Sequence, residues 1–287
     1  MIDTSALRPL LEDDRQLLEF ASLLRQTKRE LFVSTLTLLE LYAYKDSGAR
    51  EKQLRALGRI FSTLRGRIFF AAELQDVIKS EFRTKRFHKP KRMPHSEQMA
   101  TVEHLGSSSG VAKLVRFYDA AAENALKTKQ DITSFQREMP ARKAEEVPDF
   151  NDESFYRMLE SCGKPPSHDK SLEKLLGFTP PPALQIFNSH GRFLTYRAFH
   201  QMEWLQTAAT CIDRTPTSSA SGRPLTALFR SRAGDSYDNS IAATAAYCDL
   251  LVAKDRNLVR RWNHVFLRGR VDFACVLPSD LRSHLMG

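Results

Sequence analysis

The chain's absences narrow its function before its residues suggest one. Its four cysteines, Cys162, Cys211, Cys248 and Cys275, stand far apart with no Cys-x-x-Cys pair. That spacing argues against a cysteine-based zinc site and leads us to expect free thiols in a reducing compartment. No stretch approaches the roughly 18 consecutive apolar residues that a membrane span needs, so no membrane partner is expected. The opening Met1-Ile2-Asp3 begins no basic segment followed by an apolar run; no signal peptide is read, and a cytoplasmic location is expected. Neither a Gly-rich phosphate loop nor a nucleophile elbow occurs, and there is no internal repeat. His88, His95, His104 with Glu103, and the pair His200-x-x-Glu203, match no tight zinc-ligand spacing and are expected as surface or core residues.

What remains is an ordinary folded composition, 42% hydrophobic and 27% charged over 287 residues, with an excess of positive charge. The formal net charge is +9 and the pI is near 9.5. Such a surface favours polyanionic partners, of which nucleic acid is the commonest in a cell's interior.

The two ends of the chain are patterned alike. At the N-terminal end, Met1-Ile2 is a strand stub, and apolar spacing at Leu17, Ala21 and Leu24 predicts a helix over about 12–26. Strand Leu31-Phe32-Val33, a helix through Tyr44, a helix carrying Leu54, Leu57, Ile60 and Leu64, strand Ile68-Phe69-Phe70 and a helix through Phe82 follow. Beyond about residue 234 come a helix from about Tyr237 to Tyr247, strand Leu250–Ala253, a helix around 257–263 and strand Phe273–Leu277. Strands alternating with helices predict a three-layer α/β/α arrangement around a central parallel sheet of about five strands. Between the ends the periodicity is helical, at Val111, Leu114, Val115 and Tyr118, at Phe155, Met158 and Leu159, and from Phe193 to Ile212. Loops such as Pro180-Pro181-Pro182 interrupt it. The predicted organisation is therefore one discontinuous domain, 1–83 with 226–287, split by a helical insertion over 84–225.

Four acids are the chemical candidates. Asp3 follows the strand stub, where ligands of parallel sheets bind; a helix cap is the competing role. Glu40 lies among leucines on the helix after Val33. Thr37-x-x-Glu40 fits a capping box, but a helix beginning at Ser34 or Thr35 would leave Glu40 without that role. Asp238 shares a helix face with Ile241, Ala242 and Ala245, and a carboxylate on an inward face needs a cation or a donor. Asp235, one turn earlier, suits an N-cap and is counted as an accessory. Asp255 follows strand Leu250–Ala253, with capping of the next helix as its alternative. Clustered carboxylates with no His or Cys among them are hard oxygen ligands suited to Mg²⁺ or Mn²⁺, and such ions activate water against a phosphodiester.

In Ile2-Asp3-Thr4-Ser5-Ala6-Leu7, the Glu40 helix, Asp238-x-x-Ile241-Ala242-Ala243-Thr244-Ala245 and Cys248-Asp249-Leu250-Leu251-Val252-Ala253-Lys254-Asp255, taken in order, the chain resembles the PIN-like nucleases. The resemblance spans about the first 80 and last 55 residues. It implies a five-stranded parallel sheet, Mg²⁺ or Mn²⁺ dependence and cleavage, most often, of single-stranded RNA. It also implies that Asp3, Glu40, Asp238 and Asp255 are the catalytic and metal-binding acids, with Ser5 an accessory. Two features are the chain's own: only Met1 and Ile2 precede Asp3, and the long insertion has no counterpart in the small toxin ribonucleases of that family.

Lys79 to Arg92 holds seven Lys or Arg against one Glu, with Phe82 and Phe87 interleaved. Arg83, Lys85, Arg86, Lys89, Lys91 and Arg92 are the candidate nucleic-acid contacts there, with the aromatics either stacking on bases or packing in the core. Lys254 and Arg256 flank Asp255. The expectation is an endoribonuclease. Its alternatives are a DNA nuclease using the same acids on structured or single-stranded DNA, and a non-catalytic scaffold whose insertion binds nucleic acid or a protein partner; a homo-oligomer is left open.

Overall fold

A computed structural model of the chain describes residues 1–84, 90–115, 170–182, 191–200, 235–256 and 274–286, with the single positions 127, 185, 186, 189, 202, 203, 258, 259 and 262. Helix α1 (Thr4–Glu12) begins immediately after Asp3, whose side chain caps it, and α2 (Asp14–Gln26) follows with Asp13 as its cap. One helix was expected over 12–26. The earlier turn arises because Asp3 accepts from the Ser5 amide and so starts a helix at once.

Strand β1 (Leu31–Val33) leads into α3 (Thr35–Tyr42), which Ser34 caps by accepting from the Leu36 amide at 3.2 Å. The Thr37-to-Glu40 capping box is therefore not formed, and Glu40 lies inside the helix. Helix α4 (Ser47–Thr63), capped by Asp46, runs back to β2 (Ile68–Phe70), and α5 (Leu74–Arg83) closes the N-terminal block. Residues 91–93 return antiparallel along β2, and α6 (His95–Leu105) packs across α4. The approach is close at Gly58, where a Cβ would meet the Leu105 carbonyl oxygen at 2.7 Å. Later come α7 (Lys170–Leu176), helical residues 194–200, α8 (Asp235–Thr244), β3 (Leu250–Val252), β4 (Ala274–Val276) and α9 (Leu281–Met286).

The expected central sheet of about five strands is not formed. Among the described residues, extended structure consists of four three-residue strands in two two-stranded parallel pairs, β1 with β2 and β3 with β4, and helix predominates. The expected PIN-like architecture is corrected accordingly. The first expected strand shrinks to one residue, because the chain is already helical at Thr4. Ile2 forms single parallel bridges to Val33 on one side and Val252 on the other. Its amide donates to the Phe32 carbonyl at 3.1 Å, and the Asp3 amide donates to the Val252 carbonyl at 2.9 Å.

Alternation along the short strands decides what lies on each face. Leu31, Val33, Ile68, Phe70, Val252 and Val276 join a core with Leu7, Leu11, Leu54, Leu57 and Ile60. Phe32, Leu251 and Cys275 join another core with Ile241, Ala242, Ala245, Leu258 and Trp262. Of the predicted insertion, 95–105, 170–176 and 194–200 are helical and 90–94 and 177–182 are not, and Val111 and Leu114 are buried as their spacing predicts. The periodic positions 155–159, 205 and 212 lie outside the described residues, as do Cys162 and Cys211. Cys248 and Cys275 are free thiols. No helix among the described residues is long and apolar enough to cross a membrane.

Candidate active site

Asp3 sits where Ile2 meets both strand pairs, and only 2% of it is exposed. The carboxylate is treated unequally by its surroundings. Oδ2 accepts from the Ser5 amide at 3.0 Å and from the Ser5 hydroxyl at 2.5 Å. Oδ1 is equally buried and has no hydrogen-bond partner. Burial pushes the carboxyl above its ordinary range, the bonds from Ser5 and the dipole of the nearby Thr4 amide pull it back, and the charge of Asp255 adds to the rise. Ser5, named from sequence as an accessory, has a defined place: its hydroxyl donates to Asp3 and accepts from the Lys254 amide at 3.0 Å. One serine thus ties the start of α1 to the turn after β3.

Asp255 follows that turn, half-buried. Its Oδ1 accepts from the Leu258 amide at 3.3 Å, so the capping role weighed from sequence is present. The acid also lies close enough to Asp3 for the two charges to interact, and both raise the buried Cys275 thiol, for which burial is the main cause. Glu40 is joined to the same segment by the Thr4 hydroxyl, which donates to its Oε2. Across from it, Tyr237 is pushed up by burial and further by the charge of Glu40.

Asp238 occupies the first turns of α8, half-buried, above the fully buried Ile241, Ala242 and Ala245. Its neighbour Asn239 is the more enclosed residue at 1% exposed, and it donates to Glu203 at 3.1 Å. Asp235 begins α8, and its side chain lies outside the described residues. The structure therefore brings Asp3 and Asp255 together, links Glu40 to them through Thr4, and sets Asp238 next to Tyr237. Among the described residues, no three His, Cys, Asp or Glu side chains are grouped closely enough to hold an ion as they stand.

The basic candidates divide. Arg83 is exposed at the end of α5, and Lys254 and Arg256 are exposed beside Asp255. Lys85, Arg86 and Lys89 lie outside the described residues, with Phe87. Lys91 donates to the Ser80 hydroxyl at 2.7 Å. Arg92 pairs with Glu30 at 2.9 Å and lies 3.5 Å above the Phe69 ring. Phe82 packs against Phe193 and Tyr196 at 4.5 and 5.5 Å, so of its two expected roles it takes the core one.

One buried acid was not anticipated at all. Glu81, read only as a charge in the basic run, is 2% exposed and caps the helical residues 194–200. It accepts from the Thr195 amide at 2.7 Å, the Tyr196 amide at 3.1 Å and the Tyr247 phenol. Burial outweighs these donors and pushes its carboxyl up to about 7. Helical spacing on α5 carried the available signal, because Glu81 shares a face with Val77 and Ile78. No family model, curated protein or solved structure matches this chain.

Proposed function

We propose that this chain is a divalent-metal-dependent endoribonuclease working at the edge formed by Asp3, Glu40, Asp238 and Asp255. The observation that carries the reading is the orphaned Oδ1 of Asp3. A buried carboxylate oxygen without a donor costs free energy that a bound cation would offset. Asp255 beside it supplies a second hard oxygen ligand, while the nearby Cys275 thiol is pushed up by burial and by both acids, away from the thiolate that softer metals prefer. The order of the four acids, with the surrounding residues that resemble PIN-like nucleases, supports the same reading, as does the chain's +9 charge.

In this reading Mg²⁺ or Mn²⁺ would supply an activated water and charge neutralisation for the leaving oxygen. The chain's own residues do the rest. Ser5 fixes the Asp3 carboxylate so that Oδ1 is the free oxygen, and its bond to the Lys254 amide holds the Asp255 turn in register. Thr4 orients Glu40, and Asp238 is the further acid offered by α8. Exposed Lys254 and Arg256 attract the RNA backbone to this edge. The cytoplasm is the proposed location and RNA the proposed partner.

Cleavage assays on labelled RNA and on its single-stranded DNA counterpart test the proposal, with Mg²⁺, Mn²⁺ or EDTA. RNA cutting that requires the ion and falls at least 100-fold in Asp3→Asn and Asp238→Asn, on the scale expected for a lost charge-stabilising group, supports it. Cutting that survives both EDTA and the substitutions sinks it. Preference for the DNA strand would keep the site and change the substrate. No cutting, together with metal-independent RNA binding, would make the chain a scaffold instead.

A further inference from the structure

Helices α1 and α3 lie side by side in matched steps. Thr4 reaches Glu40, and one turn on Arg8 reaches Tyr44, which lies just beyond the end of α3. The guanidinium of Arg8 stacks on the Tyr44 ring, 4.4 Å from its centroid. Four residues of helix are about 6 Å long, so this stack lies roughly one turn along α1 from the carboxylate of Glu40.

Arg8 is marked by a buried, unmatched donor. Several other arginines of the N-terminal block are committed: Arg15 to Glu19, Arg25 to the Thr63 carbonyl, Arg29 to Asp249, Arg59 to Asp14 and Arg92 to Glu30. Arg8 is half-buried, its Nε is shut off from water, and that Nε has no hydrogen-bond acceptor. No ion pair or hydrogen bond engages the guanidinium among the described residues, although Glu40 belongs to the same helix pair. A guanidinium offers five N–H donors in a planar fork that fits a phosphate, and leaving a buried donor unmatched is costly. The Tyr44 ring fixes the plane of the fork, so little freedom is lost when an anion arrives.

We propose that Arg8, held flat by Tyr44, is a phosphate-binding subsite that grips a backbone phosphate of single-stranded nucleic acid beside the one at the acidic edge. The proposal takes its substrate class from the nuclease reading. The role is binding and orientation: Arg8 anchors one phosphate so that its neighbour along the strand meets the carboxylates.

Binding separates this inference from the nuclease reading. A fluorescent oligouridylate of about 12 nucleotides, of the size single-strand sites accommodate, is titrated into the full chain in EDTA, between about 50 and 200 mM salt. Arg8→Met, which keeps the aliphatic stem against Tyr44, is expected to weaken binding about tenfold and lower the slope of log affinity against log salt by about one. Arg8→Lys should keep the slope and lose severalfold in affinity, because an ammonium lacks the fork. Tyr44→Leu should weaken binding while leaving the slope near that of the parent. A thermal melt accompanies each variant; if Arg8→Met has no transition, the Arg8→Lys comparison decides. Affinity and salt slope unchanged in a folded Arg8 variant overturn the subsite, as does a parent chain that does not bind the oligonucleotide. Arg8-dependent binding by a chain that never cleaves would keep the subsite and remove the nuclease. Cleavage with Arg8-independent binding would do the reverse.

Discussion

Asp3 has a structural duty and, in the proposed reading, a chemical one, and two substitutions separate them. As the N-cap of α1 its Oδ2 satisfies the Ser5 amide, while its Oδ1 is buried without a donor. Asparagine caps nearly as well as aspartate, whereas alanine does not cap at all. Asp3→Asn should therefore melt at or above the parent temperature when no divalent ion is present, since it removes a buried charge. Asp3→Ala should lose about 1 kcal/mol of stability. Added Mn²⁺ should raise the melting temperature of the parent and leave that of Asp3→Asn unmoved. Calorimetric melts with and without the ion check all three; an equal shift in parent and variant would remove Asp3 from the metal site.

At the level of elements, a contact that depends on pH is the one Glu81 makes from α5 to the helical residues 194–200. Its carboxyl titrates at about 7 in the fold, against 4.5 for the ordinary side chain. A raised folded value means that the fold binds the proton more tightly than the unfolded chain does. The resulting stabilisation is complete below about pH 4.5 and is lost as pH rises through 7, a change on the order of 3 kcal/mol. Burial sets the balance, against the Tyr247 phenol and the Thr195 and Tyr196 amides that donate to the carboxyl; Arg197 lies close by. Glu81→Gln has nothing to titrate; it keeps an oxygen acceptor for one of the two amides and turns its NH2 toward the other, so its stability at every pH starts lower. Denaturant unfolding between pH 4.5 and 8 should show a falling stability in the parent and a flatter profile in Glu81→Gln. Parallel profiles would show that Glu81 titrates near its ordinary value.

For the whole molecule, the decisive residue is Ile2. It lies completely buried between Val33 and Val252; its own amide bonds Phe32 of one strand pair, and the flanking Met1 and Asp3 backbone bonds Val252 of the other. The acids come from opposite ends of the chain, Asp3 and Glu40 from one and Asp238 and Asp255 from the other, so the closure that Ile2 makes also assembles the edge. Ile2→Ala should cost about 2–5 kcal/mol through lost burial and the cavity left behind. Because the seam and the site coincide, metal-dependent stabilisation should weaken along with it. A loss below about 1 kcal/mol in chemical denaturation would mean that the two strand pairs hold together without this residue.

Much of the local architecture could be read from residues in sequence order. The strand cores Leu31–Val33, Ile68–Phe70 and Leu250–Val252 and the caps at Ser34 and Asp255 follow from chemistry within a few residues of each position. The length of the strands does not. A strand extends only as far as a neighbour pairs with it, and an Asp3 cap ends the first one at a single bridging residue. That is why alternating apolar runs suggested a larger sheet than forms. The acids show the same division. Their types and order pointed to hard-cation chemistry, but the short Asp3–Ser5–Lys254 connection, the Thr4–Glu40 bond and the Arg8–Tyr44 stack join residues far apart in the chain. Glu81 is the clearest case: beside lysines and arginines it looks like solvated charge, and only packing against Thr195, Tyr196 and Tyr247 makes it a buried acid. The sequence by itself determined the chain's charge, the caps at Ser34 and Asp255 and the identity of its acids, because those depend on side-chain chemistry and near neighbours. The tertiary structure alone decided that Asp3 Oδ1 is orphaned and that the Arg8 Nε is buried without an acceptor, because burial and partners exist only once distant segments meet.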